Sequence, residues 1–433
     1  MNANGRRAAV LGGIRIPFAR QNGPYARASN QDMMTATLEA LSAKFSLEGE
    51  TLGEVSAGGV LKQSRDFNLT RECVLGTRLN PHTPAYDVQQ ACGTGLEAAI
   101  LVANKIALGQ VDSAIAGGFD TTSDAPIAVN EDLRQVLLEI NRAKGNAARL
   151  RALAKLRPQQ IVPQIPRNVE PRTGLSMGEH AAIMATEWGI TRAEQDELTV
   201  ASHRNLAAAY DTGFLDDLVT PFLGLERDQN LRPDTSVEKL GKLKPVFGGA
   251  DGTMTAGNST PLSDGASAVL LASDEWAAAH NLPVQAYITD AQTAAVDHVH
   301  AREGLLMAPT YAVPTLLARN NLTLQDFDFY EIHEAFAAQV LCTLKAWEDP
   351  VYCRERLGLD APLWSIDRDK LNTHGGSLAA GHPFGATGGR IVAGLAKTLA
   401  DLNPTTHPRR PGRGLISICA AGGLGVTAIM EAA

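Results

Sequence analysis

The 433-residue sequence has no C-x-x-C pair, no uncharged apolar run of membrane-spanning length, and only 5% aromatic side chains. Its five cysteines, Cys73, Cys92, Cys342, Cys353 and Cys419, are odd in number and widely scattered. Neither a disulfide framework nor a structural zinc site is expected from them, and the setting they imply is reduced and cytoplasmic. A transmembrane helix needs about 18 or more consecutive apolar residues, and none is found. Positive charge is short as well: a net charge of −8 gives no basic face for a nucleic acid. The brief, glycine-broken run after Arg6 and Arg7 reads as a first strand, not as the apolar region of a signal peptide.

What remains is a chain rich in small and aliphatic residues, 44% hydrophobic with 40 glycines. It is long enough for two or three domains or one large layered assembly. Short apolar runs alternate with helical stretches, the pattern of an α/β fold. A strand is expected over 8–14 and an amphipathic helix over 32–45. The helix of 96–108 carries only Glu97, Asn104 and Lys105 as strongly polar residues and is expected to be buried on every side. Residues 113–123 read as a small-residue strand.

Beyond Ser123 the composition shifts. Residues 130–167 read as two helices broken at Lys144-Gly145, with eight Lys or Arg against three acids. This basic excursion is either a solvated helix face or a docking surface for an anionic ligand, a membrane or a partner. A capping box at Thr191 and Glu194 opens a further helix over 191–213. In the last third, 374–402 sets a glycine-rich loop before an apolar helix, and 413–432 gives two strands joined by a glycine-rich turn. Each half therefore presents one buried helix from a glycine-rich turn, which points to a duplicated α/β unit.

Four glycine-framed elements carry chemistry. In "QQACGTG", Cys92 stands at a helix start, where backbone N–H groups and the helix dipole favour thiolate, and Gly93 and Gly95 allow close approach to N–H donors. Taken alone, Cys92 could equally be an inert buried thiol. In "GHPFGATGG", His382 is held in a rigid loop that suits a general base or an oxyanion donor. In "CAAGGLG", Cys419 ends a strand and can shuttle a proton. In "YEIHEAFAAQ", His333 and Glu334 interrupt an apolar context at a strand-to-helix junction and call for partners. Two cysteines and two histidines at strand ends of an α/β chain indicate acyl transfer through a cysteine thioester.

These elements, with "RIPFAR" and "GTMTAGNSTPLSDGASAV", occur in the order found in the thiolases, and the chain resembles that family over nearly its whole length. His333, where many thiolases have Asn, and "GLSMGEHA" resemble the branch that supplies the thiolase subunit of fatty-acid oxidation trifunctional complexes. The resemblance implies an α/β thiolase fold: duplicated mixed-sheet units in a five-layer αβαβα arrangement with an inserted loop domain. It implies an N-terminal half over 1–123, completed by 249–277, a loop domain over 124–248 covering the CoA site and including the excursion 130–167, and a C-terminal half over 278–433.

The implied activity is CoA-dependent cleavage of a 3-ketoacyl-CoA to acetyl-CoA and a shortened acyl-CoA, reversible as a Claisen condensation. The alternatives are a biosynthetic acetoacetyl-CoA thiolase and a non-catalytic thiolase-like subunit. A ketoacyl synthase is disfavoured by Cys419, which such enzymes lack. The resemblance makes Cys92 the acyl-accepting nucleophile and His382 its activator. Cys419 becomes the second acid–base, and His333 takes the place of the Asn that holds water in one oxyanion hole. The N–H groups of Cys92 and Ala421 form the other hole. Met177, Arg232, Ala256 and Thr260 are placed against substrate or CoA, Thr260 standing where the family usually has Ser. Coenzyme A enters as a substrate, with no metal or other cofactor. A homodimer or homotetramer and a hydratase-dehydrogenase partner are further expectations.

Overall fold

The computed structural model describes residues 5–301, 303–402 and 410–433. Ala8–Arg15 is fully buried, as its run of Ala, Val, Leu and Gly requires, and it sits at the middle of a mixed sheet. It pairs antiparallel with Ser263–Ala272 on one side and with Ala286–Ala295 on the other. Outward from Ser263–Ala272 come Ser113–Asp120, antiparallel, and then Glu54–Ala57, parallel. Outward from Ala286–Ala295 come Leu424–Ala432 and Arg413–Ala420, both antiparallel steps, and then Phe329–Ile332, parallel. These three steps are thus the same on both sides of the central pair, and on the first side Ala85–Asp87 adds one more parallel strand at the edge. The duplication that was faint in the sequence is explicit in the topology.

Two helices occupy equivalent places in this repeat. Thr94–Ala107 leads into the strand Ser113–Asp120, and Ala386–Ala400 leads into Arg413–Ala420. One core cluster joins these helices to strand residues of both halves, including Val10, Ala116, Val269, Ile416, Ile418 and Val426. Alternate residues of the same strands turn to other clusters: Ala9, Leu11 and Leu270 pack against the helix Asn30–Phe45, and Leu415 and Ile429 against Ala308–Asn320. Side chains alternate across a strand, so each half-sheet is covered on both faces. The result is the five-layer α/β arrangement. Each large aliphatic side chain buried in it contributes roughly 1.5–3 kcal/mol against the entropy of ordering the chain.

The expected burial of the first central helix needs one correction. Its first turns are enclosed, but Asn104 is exposed and Lys105 reaches out to Glu54 at 2.5 Å, so the last turn meets solvent. Thr191 caps Arg192–Asp211 through the box with Glu194, as read from the sequence.

Residues 61–67 and 125–168 form a separate compact unit. Within it lie the helices Glu131–Arg142 and Asn146–Leu153, broken at Gly145, whose φ of +99° suits glycine. Reciprocal bonds between Ala128 and Gln164, at 3.0 and 2.7 Å, close the segment on itself. Its surface exposes Ile127, Leu150, Ile161, Val162 and Ile165 beside its cations.

Candidate active site

Cys92 is delivered by a strained turn. Ala91 holds φ at +46°, a left-handed conformation that costs a residue with a Cβ about 1–2 kcal/mol. The turn is secured by Thr94, whose Oγ1 accepts from Gln90 N at 2.8 Å and donates to Ala91 O at 2.7 Å. Among the five cysteines only Cys92 is not fully buried.

His382 arrives from the equivalent place in the other half. Gly381, at φ +103°, turns the chain where a Cβ would strike Asn230 and Ser263. His382 N donates to Ser263 Oγ at 3.2 Å, and Gly385 N donates to the buried Asp120 carboxylate at 2.8 Å, which ties the loop to the first half. The helices that follow Cys92 and His382 meet through glycine: a Cβ on Gly95 would lie 2.6 Å from Gly385 O, and one on Gly388 would collide with the Leu96 amide. Only glycine permits this approach. It brings His382 Nε2 to 3.0 Å from Cys92 Sγ, while Nδ1 lies 2.6 Å from Thr387 Oγ1 in the first turn of the second helix.

His333 follows the strand Phe329–Ile332 and is 1% exposed. Its ring lies 4.2 Å from that of His382, centre to centre. Cys92 Sγ and one ring nitrogen from each histidine fall within 4.8 Å of one another. Glu334 faces away and organises the backbone behind them: its carboxylate accepts from Ser202 Oγ (2.7 Å), Asn372 Nδ2 (2.6 Å) and Leu378 N (3.2 Å). The partners called for at this polar pair are therefore Ser202, Asn372 and Ser377, the last at 3.0 Å from His333 Nδ1.

Cys419, at the end of Arg413–Ala420, pairs with Gly425 across the hairpin and is 1% exposed. The turn after it is pinned by Glu170, which accepts from Gly422 N at 2.8 Å. The Ala421 amide and the amide of Cys92 itself both favour the charged form of the Cys92 thiol. These are the two backbone groups named from the sequence.

The electrostatics overturn one expectation. The start of a helix does not by itself make Cys92 a thiolate: loss of hydration in the closed site pushes its thiol up to about 12, only partly offset by the Ala421 and Cys92 amides. Burial also holds His382 neutral, down to about 3, with the Arg390 charge acting in the same sense. The resting pair is therefore thiol and neutral imidazole, able to pass a proton when an acyl carbon arrives. Cys419, named as the second acid–base, is likewise held well above its ordinary value by burial and by Cys92. A protonated thiol in that place can donate to a carbanion.

The other residues named from the sequence are dispersed. Met177 packs against the apolar cluster that contains Cys419 and Phe336. Thr260 Oγ1 donates to Ala335 O at 2.9 Å. Arg232 is exposed, with its guanidinium turned back onto Gln229 O and Leu231 O, and Ala256 is exposed at its turn. Ser377, Thr387, Asp120 and the strained Ala91 were missed. Only Thr387 had a sequence signal, since a residue in the first turn of a helix leans back toward the loop before it.

Two family models match the chain: the thiolase N-terminal domain over residues 8–275 and the thiolase C-terminal domain over 282–432. The 3-ketoacyl-CoA thiolase of Yersinia pestis (strain Pestoides F) is 38% identical over 99% of this chain and 97% of its own length, and that of Yersinia pseudotuberculosis (strain YPIII) matches equally. Among solved structures, the Bacillus anthracis acetyl-CoA acetyltransferase superposes with a TM-score of 0.79 at 26% identity, covering 99% of each chain. Human mitochondrial 3-ketoacyl-CoA thiolase in complex with CoA gives 0.79 at 27% identity, over 99% of this chain and 98% of that one.

Proposed function

Because the chain belongs to the thiolase family, we infer that it is an acyltransferase that cleaves 3-ketoacyl-CoA with free CoA, by way of an acyl thioester on Cys92. The observation that carries this reading is the 3.0 Å contact between Cys92 Sγ and His382 Nε2, made across the two halves of a duplicated fold.

As the nucleophile attacks the 3-keto carbon, Cys92 passes its proton to His382 Nε2. His382 then needs its other proton on Nδ1, where Thr387 Oγ1 accepts it. The oxygen of the tetrahedral intermediate lies between the N–H groups of Cys92 and Ala421. Preorganised donors of this kind are each worth about 3–4 kcal/mol of barrier. The C2–C3 bond breaks, and acetyl-CoA leaves as an enolate whose oxygen is met by His333 and His382. Cys419 protonates its carbon, so the site now holds imidazolium and thiolate and stays neutral overall. Free CoA gives its thiol proton to the Cys419 thiolate and attacks the acyl-Cys92. The shortened acyl-CoA departs, and His382 returns its proton to Cys92.

Coenzyme A is a substrate here, and no step requires a metal or other cofactor. We place Met177 and Thr260 toward the acyl and pantetheine path, with Arg232 and Ala256 at its outer end. A cytoplasmic location is supported by five free cysteines. A homodimer or homotetramer, and a hydratase-dehydrogenase partner docked on residues 130–167, complete the reading. The exposed apolar side chains of that segment favour the partner. The test is the loss of 3-ketoacyl-CoA absorbance in the presence of free CoA. It should vanish in Cys92→Ala, and an inactive wild type that still binds a hydratase-dehydrogenase would favour a scaffolding subunit instead.

A further inference from the structure

His333 has one feature that its motif does not explain. Nδ1 is bonded to Ser377 Oγ at 3.0 Å, while Nε2 is buried and has no hydrogen-bond partner among the described residues. Such an orphan is costly unless something occupies its direction during function. Which nitrogen carries the proton therefore decides whether His333 offers the site a donor or a lone pair.

The surroundings of Ser377 settle the direction of that bond. Ser377 is fully buried, and Arg390 Nη2 lies 3.3 Å from its Oγ. A guanidinium only donates, so Ser377 Oγ accepts from Arg390. The serine hydroxyl then has one proton of its own to place. The acceptor given to it among the described residues is His333 Nδ1. A bare Nδ1 leaves the proton of the neutral ring on Nε2. Arg390 is itself fixed by Gly375 O at 3.4 Å, and Glu331, 8% exposed, shares a small cavity with it.

Resting on the reading of His333 as an oxyanion donor, we propose that Ser377 and Arg390 are positioning residues that lock His333 as its Nε2–H tautomer, aimed at the substrate. His382 is locked the opposite way by Thr387, with Nδ1 protonated and Nε2 free to take the Cys92 proton. Two adjacent neutral imidazoles, 4.2 Å apart, are thereby made into a donor and a base by two different hydroxyl groups. Burial supports this, because it holds His333 well below its ordinary value and keeps the ring neutral, so that the tautomer matters.

A double-mutant cycle separates this from a packing role. Ser377→Ala should lower kcat about tenfold or more, with KM for the 3-ketoacyl-CoA changed by less than about twofold, as expected when a transition-state donor is lost. In a His333→Asn background the donor is an amide that needs no tautomer, so adding Ser377→Ala should cost less than about twofold. Equal losses in both backgrounds, or no loss with His333 present, overturn the proposal. A wild-type kcat in His333→Ala overturns the donor reading itself, and the proposal with it. If Ser377→Ala does not fold, ¹⁵N-histidine spectra of the wild-type protein, with the His333 signals assigned by their loss in His333→Asn, read the tautomer directly. Protonated Nε2 is expected, and protonated Nδ1 overturns the proposal.

Discussion

Gly388 lies against Leu96 so closely that a single added methyl would collide with the Leu96 amide nitrogen. This contact between two helix starts sets the distance from Cys92 to His382. Substituting Gly388→Ala should therefore force the helices apart, cost about 1–3 kcal/mol or more as overpacking does, and lower kcat more than it raises KM. Gly394, six residues further along the same helix, has open space where its Cβ would be. Gly394→Ala is the control and should be neutral or slightly stabilising. Denaturant unfolding and steady-state kinetics of the two variants check the contrast, and equal behaviour would remove the crossing from its positioning role.

Alkylation reads the state of the nucleophile. Cys92 should react with iodoacetamide before Cys73, Cys342, Cys353 or Cys419, because it alone is not fully buried. With its thiol held near 12, the rate should keep rising about tenfold per pH unit from pH 6 to 9, since only the thiolate reacts. A plateau across that range would mean that Cys92 already rests as a thiolate paired with a protonated His382.

Acid should unfold the protein early. His382 is held near 3, and His203 and His374 near 4, chiefly by burial, while an unfolded histidine titrates near 6.5. Between those values the unfolded chain binds protons that the folded chain does not. Stability is fully present above about pH 6.5 and falls as pH drops toward the folded values, by up to about 1.4 kcal/mol per pH unit for each histidine. The thermal midpoint should fall between pH 7 and pH 5, with a net uptake of protons on unfolding when calorimetry is repeated in buffers of different ionisation enthalpy. An unchanged midpoint would contradict the neutral, buried state of these rings.

The fold class and the four chemical groups were legible because each rests on a local pattern. Cys92, His382, His333 and Cys419 all stand at element ends marked by glycine or by a polar break in an apolar run, and the topology brings those ends together. The two halves were legible as a faint repeat, which the strand pairing made definite. What could not be read was whatever depends on contacts between distant segments. Ser377 meets His333 across 44 positions, and Asp120 meets Gly385 across 265. The state of the Cys92 thiol was misjudged for the same reason. Local position at a helix start argued for a thiolate, but the desolvation that outweighs it comes from segments remote in sequence. The strain at Ala91 had no signal at all, because alanine is not a residue that advertises a left-handed turn.

Thiolysis by way of Cys92 requires a covalent acyl intermediate on that sulfur. Its most direct test is to mix the protein with a 3-ketoacyl-CoA in the absence of free CoA, quench with acid, and map the peptides by mass spectrometry. The peptide bearing Cys92 should gain the acyl group that is two carbons shorter than the substrate, with a matching burst of acetyl-CoA, and Cys92→Ala should give neither. An acyl group found on Cys419 instead, or a burst of acetyl-CoA with Cys92 unmodified, would contradict it.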